Sequence, residues 1–139
     1  MASLEAAPRE KRTPSDLNDS ATILIVDDLD FLVESVGEIL EDAEFRVLTA
    51  LGGRKGIETF KEHNAEIDLV LLDLRMPELN GFAVLEVIEE LRPDVKVILT
   101  SGFNTIDESD KIKNKNNVSF LAKPYSHNDL LGKINALLG

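Results

Sequence analysis

The chain has 139 residues, 26 acidic and 15 basic, for a formal charge of −11, which fits one acidic domain and leaves no room for a second. With no cysteine it can form no disulfide, thiolate metal site or cysteine nucleophile. Its longest apolar runs, such as Ile23 to Val26 and Leu69 to Leu72, are too short for a membrane span or a secretory signal, so a cytoplasmic location without membrane insertion is expected. So negative a chain also repels phosphate backbones and anionic lipid, which argues against direct nucleic-acid binding and favours cations and basic partner surfaces.

Residues 1–20 mix a few charges of both signs with Ala, Ser and Pro, show no apolar periodicity, and are expected to be a disordered leader or linker. The folded domain should cover residues 21–139. Thr22 to Asp27 is apolar on both faces, as a buried parallel strand must be, and Leu29 to Asp42 follows as a helix with Leu32, Val36, Ile39 and Leu40 on one face. Phe45 to Thr49 reads as a second strand, Gly53 to His63 as a helix anchored by Ile57 and Phe60, and Ile67 to Asp73 as a third strand. The third helix starts near Gly81, carries the stripe Val84, Val87, Ile88 and Leu91, and stops at Arg92-Pro93, because proline disfavours helical geometry in the residue before it. Val95 to Thr100 is the fourth strand, 105–115 a polar fourth helix with only Ile106 and Ile112 to bury, and Val118 to Ala122 the fifth strand. The last helix opens on a capping box, Ser126 to Asp129, and presents Leu130, Ile134 and Leu137 along one face.

Five strands alternating with five helices imply an α/β fold with a parallel sheet covered on both faces. Ligands of such sheets sit outside the carboxyl ends of the strands, where strand order reverses. Those ends carry Asp27-Asp28, Asp73, Thr100-Ser101 and, just after the fifth strand, Lys123-Pro124. Converging carboxylates repel unless a metal, a proton or a lysine lies close by. An all-oxygen site open to water suits Mg²⁺, which takes one or two carboxylates and keeps several waters.

At these residues, and in the loop Met76-Pro77-Glu78-Leu79-Asn80-Gly81, the chain resembles the receiver domain of two-component response regulators over residues 21–139. The resemblance implies a flavodoxin-like, doubly wound (βα)5 sheet of strand order 2-1-3-4-5. It implies that Asp73 accepts a phosphoryl group from a phosphohistidine on a sensor histidine kinase or histidine phosphotransfer protein. Asp28, Asp73 and the backbone carbonyl of Arg75 would hold Mg²⁺ (or Mn²⁺), with Asp27 acting through metal-bound water and Lys123 supplying a second positive charge. Thr100 would donate to a phosphoryl oxygen, and the small Ser101 would leave room for the group. Phe120 stands where the family has its aromatic switch residue, so a downstream protein would read the face of helix four, strand five and helix five. A cis peptide at Lys123-Pro124 is also implied, plausible because proline lowers the cost of cis. Such a domain is a phosphoacceptor rather than an enzyme, with at most self-phosphorylation and self-dephosphorylation. The chain ends directly after the last helix, so output by contact is expected.

Other readings compete with this one. A Mg²⁺-dependent aspartyl-nucleophile phosphohydrolase of the haloacid dehalogenase type also uses a strand-end Asp, but needs a second acid where this chain has Arg75. A pseudo-receiver binding module would keep the fold without phosphoryl chemistry, against which the charged set is intact. The Asp27-Asp28 pair could simply cap the first helix, and Phe120 could be ordinary core. Gly52 to Gly56 lacks the spacing of a phosphate-binding loop, and His63 and His127 are expected to be solvated. Lys111, Lys113 and Lys115 cannot align on one helical face as a nucleic-acid stripe. The asparagine-rich stretch 104–117 departs from the family pattern, while Arg75 and Gly102 occupy positions that tune acyl-phosphate lifetime in the family.

Overall fold

The buried apolar strands dictate the architecture of the computed structural model, which describes residues 21–102 and 116–139. In chain order it has β1 (Thr22–Asp27), α1 (Asp30–Asp42), β2 (Arg46–Leu51), α2 (Gly53–Glu62), β3 (Leu69–Asp73), α3 (Gly81–Leu91), β4 (Lys96–Ser101), β5 (Val118–Ala122) and α4 (His127–Leu138). The five strands form one parallel sheet in the order β2-β1-β3-β4-β5, as the resemblance implied. The fourth helix expected at 105–115 and the leader at 1–20 lie outside the described residues, so α4 is the fifth helix of the sequence reading.

Alternation along the strands divides the core into two layers. Ile23, Ile25, Leu69, Leu71 and Ile98 face α1 and α4, packing with Val33, Val36, Leu40, Leu130 and Ile134. Leu24, Val26, Val70, Leu72, Val97 and Leu99 face α2 and α3, packing with Phe60, Val84, Leu85 and Ile88. Burial on both faces is why β3, and β1 after Thr22, are apolar until their terminal aspartates.

Helix ends follow local chemistry. Ser126 caps α4 by accepting from Asp129 N–H at 3.0 Å, and Asn80 caps α3 by accepting from Ala83 N–H at 3.0 Å. The N-cap of α1 is Leu29, with no side-chain cap, so the aspartate pair does not cap that helix. Asp27 Oδ1 instead accepts from Leu29 N–H at 3.1 Å.

Strand boundaries shift by one or two residues: β2 ends at Leu51 rather than Thr49, β4 runs Lys96–Ser101 rather than Val95–Thr100, and two starts move for reasons visible in the hydrogen bonds. β2 starts at Arg46 rather than Phe45, because Phe45 N–H closes the end of α1 on Leu40 O at 3.0 Å while Glu44, at φ 73°, makes the left-handed turn and donates to Glu41 O. These bonds form a Schellman motif. β3 starts at Leu69 rather than Ile67, because Ile67 O accepts from the Arg92 guanidinium at 2.6 Å and Asp68 Oδ2 accepts from Thr22 N–H at 2.7 Å.

The loop from β3 to α3 folds back on the strand end. Leu74 N–H donates to Thr100 O at 2.8 Å and Gly81 N–H to Leu74 O at 2.9 Å. A Cβ at Gly81 would stand 2.6 Å from Asp73 O and 2.8 Å from Leu74 Cα, both backbone atoms that cannot swing aside. Gly81→Ala should therefore lower stability by about 1–3 kcal/mol in urea denaturation; a loss under about 0.5 kcal/mol, typical of a surface change, would contradict this close approach.

Candidate functional site

Sheet register assembles the site. Val26 on β1 lies opposite Leu72 on β3, so Asp27 and Asp73 come next on adjacent strands. Asp73 lies opposite Thr100 on β4, and Ser101 lies opposite Ala122, the residue before Lys123. Lys123 N–H donates to Ser101 O at 2.8 Å, fixing where the lysine stem departs, and the Lys123-Pro124 peptide is cis. The Lys123 ammonium then donates to Asp27 Oδ2 at 3.0 Å and to Asp73 Oδ1 at 3.3 Å. Asp28 is exposed beside them, and one oxygen from each of Asp27, Asp28 and Asp73 lies within 4.8 Å of the others.

Burial makes these charges consequential. Asp27 and Asp73 are only 2% and 4% exposed. Desolvation raises the Asp73 pKa above its usual value, and the neighbouring Asp27 charge raises it further; the Lys123 ammonium and the backbone at Arg75 offset only part of this. Burial pulls the Lys123 pKa down, but its bonds and charge interactions with Asp27 and Asp73 outweigh that, leaving it above the ordinary lysine value. The Tyr125 hydroxyl is pushed up to about 12 by burial and by the Asp27 and Asp73 charges.

A cleft of about 520 Å³ opens onto the site, lined by Asp28, Leu29, Asp73, Arg75, Ser101, Gly102 and Lys123. The donor set, three carboxylates with one exposed and water at hand, fits a hard divalent cation such as Mg²⁺. Thr100 is buried behind the cleft, in register with Asp73, and does not line it. Phe120 sits apart, half-buried against the layer that contains α2 and α3, in register with Leu99.

Two features escaped the sequence reading. Tyr125 follows the Lys-Pro pair and feels both buried carboxylates, a placement for which the residues themselves carry no signal. It also lines an apolar groove of about 450 Å³ beside the cleft, with Phe31, Leu32, Ile39 and Pro124 among its walls. His63, expected to be solvated, lies 3.8 Å from an oxygen of its chain neighbour Glu62 and 3.5 Å from an oxygen of Glu66, which the turn after α2 brings back toward it.

A doubly wound parallel sheet of this order, with a pocket outside the carboxyl ends of its strands, defines the flavodoxin-like class of folds. The family model for the response regulator receiver domain matches residues 23–135, and the chain belongs to that family. It is 30% identical over 117 residues to the chemotaxis protein CheY of Treponema pallidum, covering 84% of this chain and 81% of that one. It is also 30% identical over 134 residues to the sensor kinase CckA of Brucella abortus, covering 95% of this chain but only 14% of the kinase. Among solved structures, the Borrelia burgdorferi CheX-CheY-BeF3-Mg²⁺ complex matches with a TM-score of 0.82 at 27% identity, over 90% of this chain and 94% of that one. A receiver domain protein from Clostridium thermocellum matches with a TM-score of 0.80 at 30% identity, over 85% and 94%. Receiver domains are in general signalling modules rather than enzymes. No helix among the described residues is long and apolar enough to cross a membrane.

The electrostatics carry definite signs. An acid whose folded pKa is raised makes folding less favourable as pH rises from 3.8 through the raised value, because the folded state holds its proton longer than the unfolded chain does. Without divalent cation, Asp73→Asn should therefore match the wild type in stability near pH 3 and exceed it increasingly toward pH 7 in urea denaturation. Lys123, with its pKa raised, stabilises the fold at all pH below 10.5 and ceases to do so as pH rises through its folded value. Lys123→Met should cost about 3 kcal/mol at pH 7 by leaving two buried carboxylates without their counter-ion, and Asp73→Asn in that background should recover part of the loss.

Proposed function

We propose that this domain accepts a phosphoryl group on Asp73 from a phosphohistidine and passes the signal on through a change of surface. The single observation that carries this reading is the bridge from Lys123 to both Asp27 and Asp73 beside the exposed Asp28, in a cleft open to solvent. Membership of the receiver family supports it.

Asp28, Asp73 and the backbone carbonyl of Arg75 would hold Mg²⁺ (or Mn²⁺), with Asp27 reaching it through water. The ion, when bound, neutralises negative charge on the transferring group. The Borrelia structure is of a CheX-CheY-BeF3-Mg²⁺ complex, which supports a receiver's capacity to hold both ion and phosphoryl mimic. An ionised Asp73 oxygen attacks phosphorus in line; the P–N bond to imidazole breaks as the O–P bond forms, and the electron pair stays on the departing nitrogen. Lys123 retains its proton and, with the Thr100 hydroxyl, meets the phosphoryl oxygens. Thr100 drawn toward the phosphoryl group would vacate space for Phe120 to turn inward. That would change the face that β5 and α4 present, together with the expected fourth helix, to a downstream protein.

The apolar groove supports a protein as phosphodonor. It shares Gly102 and Lys123 with the cleft, so a donor seated there lies within reach of Asp73. Phe31 projects from its α1 wall at 64% exposure, and Asp30, Glu34 and Glu38 rim the same helix, exposed at successive turns. A donor with an apolar stripe flanked by basic residues would fit.

Incubation with acetyl phosphate and Mg²⁺ should add one phosphoryl mass to the wild type and none to Asp73→Asn, read by intact mass. Absence of the adduct on the wild type would point to a binding module instead, and rapid turnover of an organic phosphate to a hydrolase. Phe31→Ser should slow transfer from a phosphorylated histidine kinase or phosphotransfer protein about ten-fold while leaving acetyl phosphate labelling unchanged; equal slowing with both donors would remove the groove from the reading.

A further inference from the structure

Ser101 is fully buried at the end of β4, and among the described residues its hydroxyl has no hydrogen-bond partner. A hydroxyl removed from water and left unpaired disfavours folding, and native chains keep few of them. Three other buried side-chain atoms share this condition among the described residues: Thr22 Oγ1 at the start of β1, and His63 Nδ1 and Asn64 Oδ1 after α2. Only Ser101 belongs to the wall of the cleft that contains Asp73 and Lys123.

Smallness alone does not explain a serine here. Alanine or glycine would leave the phosphoryl group as much room and would bury no unpaired polar atom. The backbone around Ser101 is already committed, since its carbonyl accepts from Lys123 N–H at 2.8 Å and its strand pairs with β5. What remains is one hydroxyl, able to rotate about a single torsion, in the wall of a cleft whose ammonium, on Lys123, is already engaged by two carboxylates.

We propose that Ser101 Oγ–H donates a hydrogen bond to a non-bridging oxygen of the phosphoryl group on Asp73, as a second hydroxyl beside Thr100. This rests on the phosphoacceptor reading above and adds to it a residue that discriminates for a P–O acceptor. No bond is made or broken at Ser101: it keeps its proton, and the phosphoryl oxygen accepts. Before transfer the hydroxyl is unpaired, and as charge collects on the phosphoryl oxygens it gains a charge-assisted bond, which favours the transition state and the product over the free protein.

The wild type, Ser101→Ala and Ser101→Gly are compared in two measurements. One is the rate of labelling by acetyl phosphate and Mg²⁺, followed by intact mass; the other is thermal denaturation of the unmodified proteins without Mg²⁺. Both variants should label about ten-fold more slowly, the scale of one hydrogen bond to a charged acceptor. The unmodified Ser101→Ala protein should melt at the wild-type temperature or above it, because an unpaired hydroxyl has been removed. Labelling at the wild-type rate or faster in both variants would overturn the inference and leave Ser101 acting through size alone. A marked loss of stability in Ser101→Ala would also overturn it, by showing that the hydroxyl already has a structural partner. Wild type that forms no adduct defeats the phosphoacceptor reading itself, and this inference with it, an outcome distinct from slow variants beside a competent wild type.

Discussion

Two carboxylates end adjacent strands, nearly excluded from water, with one ammonium between them: Lys123 donates to Asp27 at 3.0 Å and to Asp73 at 3.3 Å. One positive charge cannot balance two negative ones, and Asp28 adds a third at the solvent edge. The remaining imbalance appears in Asp73, whose proton affinity stays raised by burial and by Asp27 despite the lysine beside it. A site in that condition gains from an added cation, and the cleft gives one a path in. The same excess of negative charge means that, in the proposed function, a phosphoryl group would enter only with its charge compensated, which would tie Asp73 to an added cation and to hydrogen-bond donors around the rim.

The fold creates this condition through register. In a parallel sheet every strand points the same way, so residues one step beyond the apolar core emerge together at one edge. The order β2-β1-β3-β4-β5 makes β1 and β3 neighbours although two helices and a strand separate them in sequence. Asp27, Asp73 and Thr100 thus come from three strands to one row, and the close packing of Gly81 on the backbone of Asp73 and Leu74 keeps the loop that carries Arg75 against that row. Burial of the apolar core and exposure of the reactive rim are two results of one alternation pattern.

Much of this was legible in the residues. Strands apolar on both faces gave β1 and β3, the Ser126 cap and the Arg92-Pro93 stop fixed helix ends, and polar groups at four strand ends located the rim. Two of the strand starts that moved, at Phe45 and Ile67, are residues whose apolar character suits a strand while their backbone groups are taken by a helix end and by Arg92; apolar pattern reports burial, not hydrogen-bond partners. The pattern likewise could not place Tyr125 near the carboxylates, since nothing in a lone aromatic after Lys-Pro specifies which charges it will meet. Nor could it reveal that Ser101, and not Thr100, forms the wall of the cleft, because neighbouring residues at a strand end differ only in the direction they face. The switch role assigned to Phe120 rests on the family resemblance; its half-buried place against the α2 and α3 layer is compatible with either packing or movement.

The most direct examination of the carboxylate rim is a Mg²⁺ titration followed residue by residue in the backbone amide NMR spectrum of the unmodified protein. Saturable shifts should concentrate at Asp27 to Leu29, Asp73 to Met76, Ser101, Gly102 and Lys123, and should vanish in Asp28→Asn/Asp73→Asn. Shifts that never saturate, or that gather instead along the acidic exposed side of α1 and survive the double substitution, would mean that the three aspartates do not form the ion site on which the phosphoryl chemistry depends.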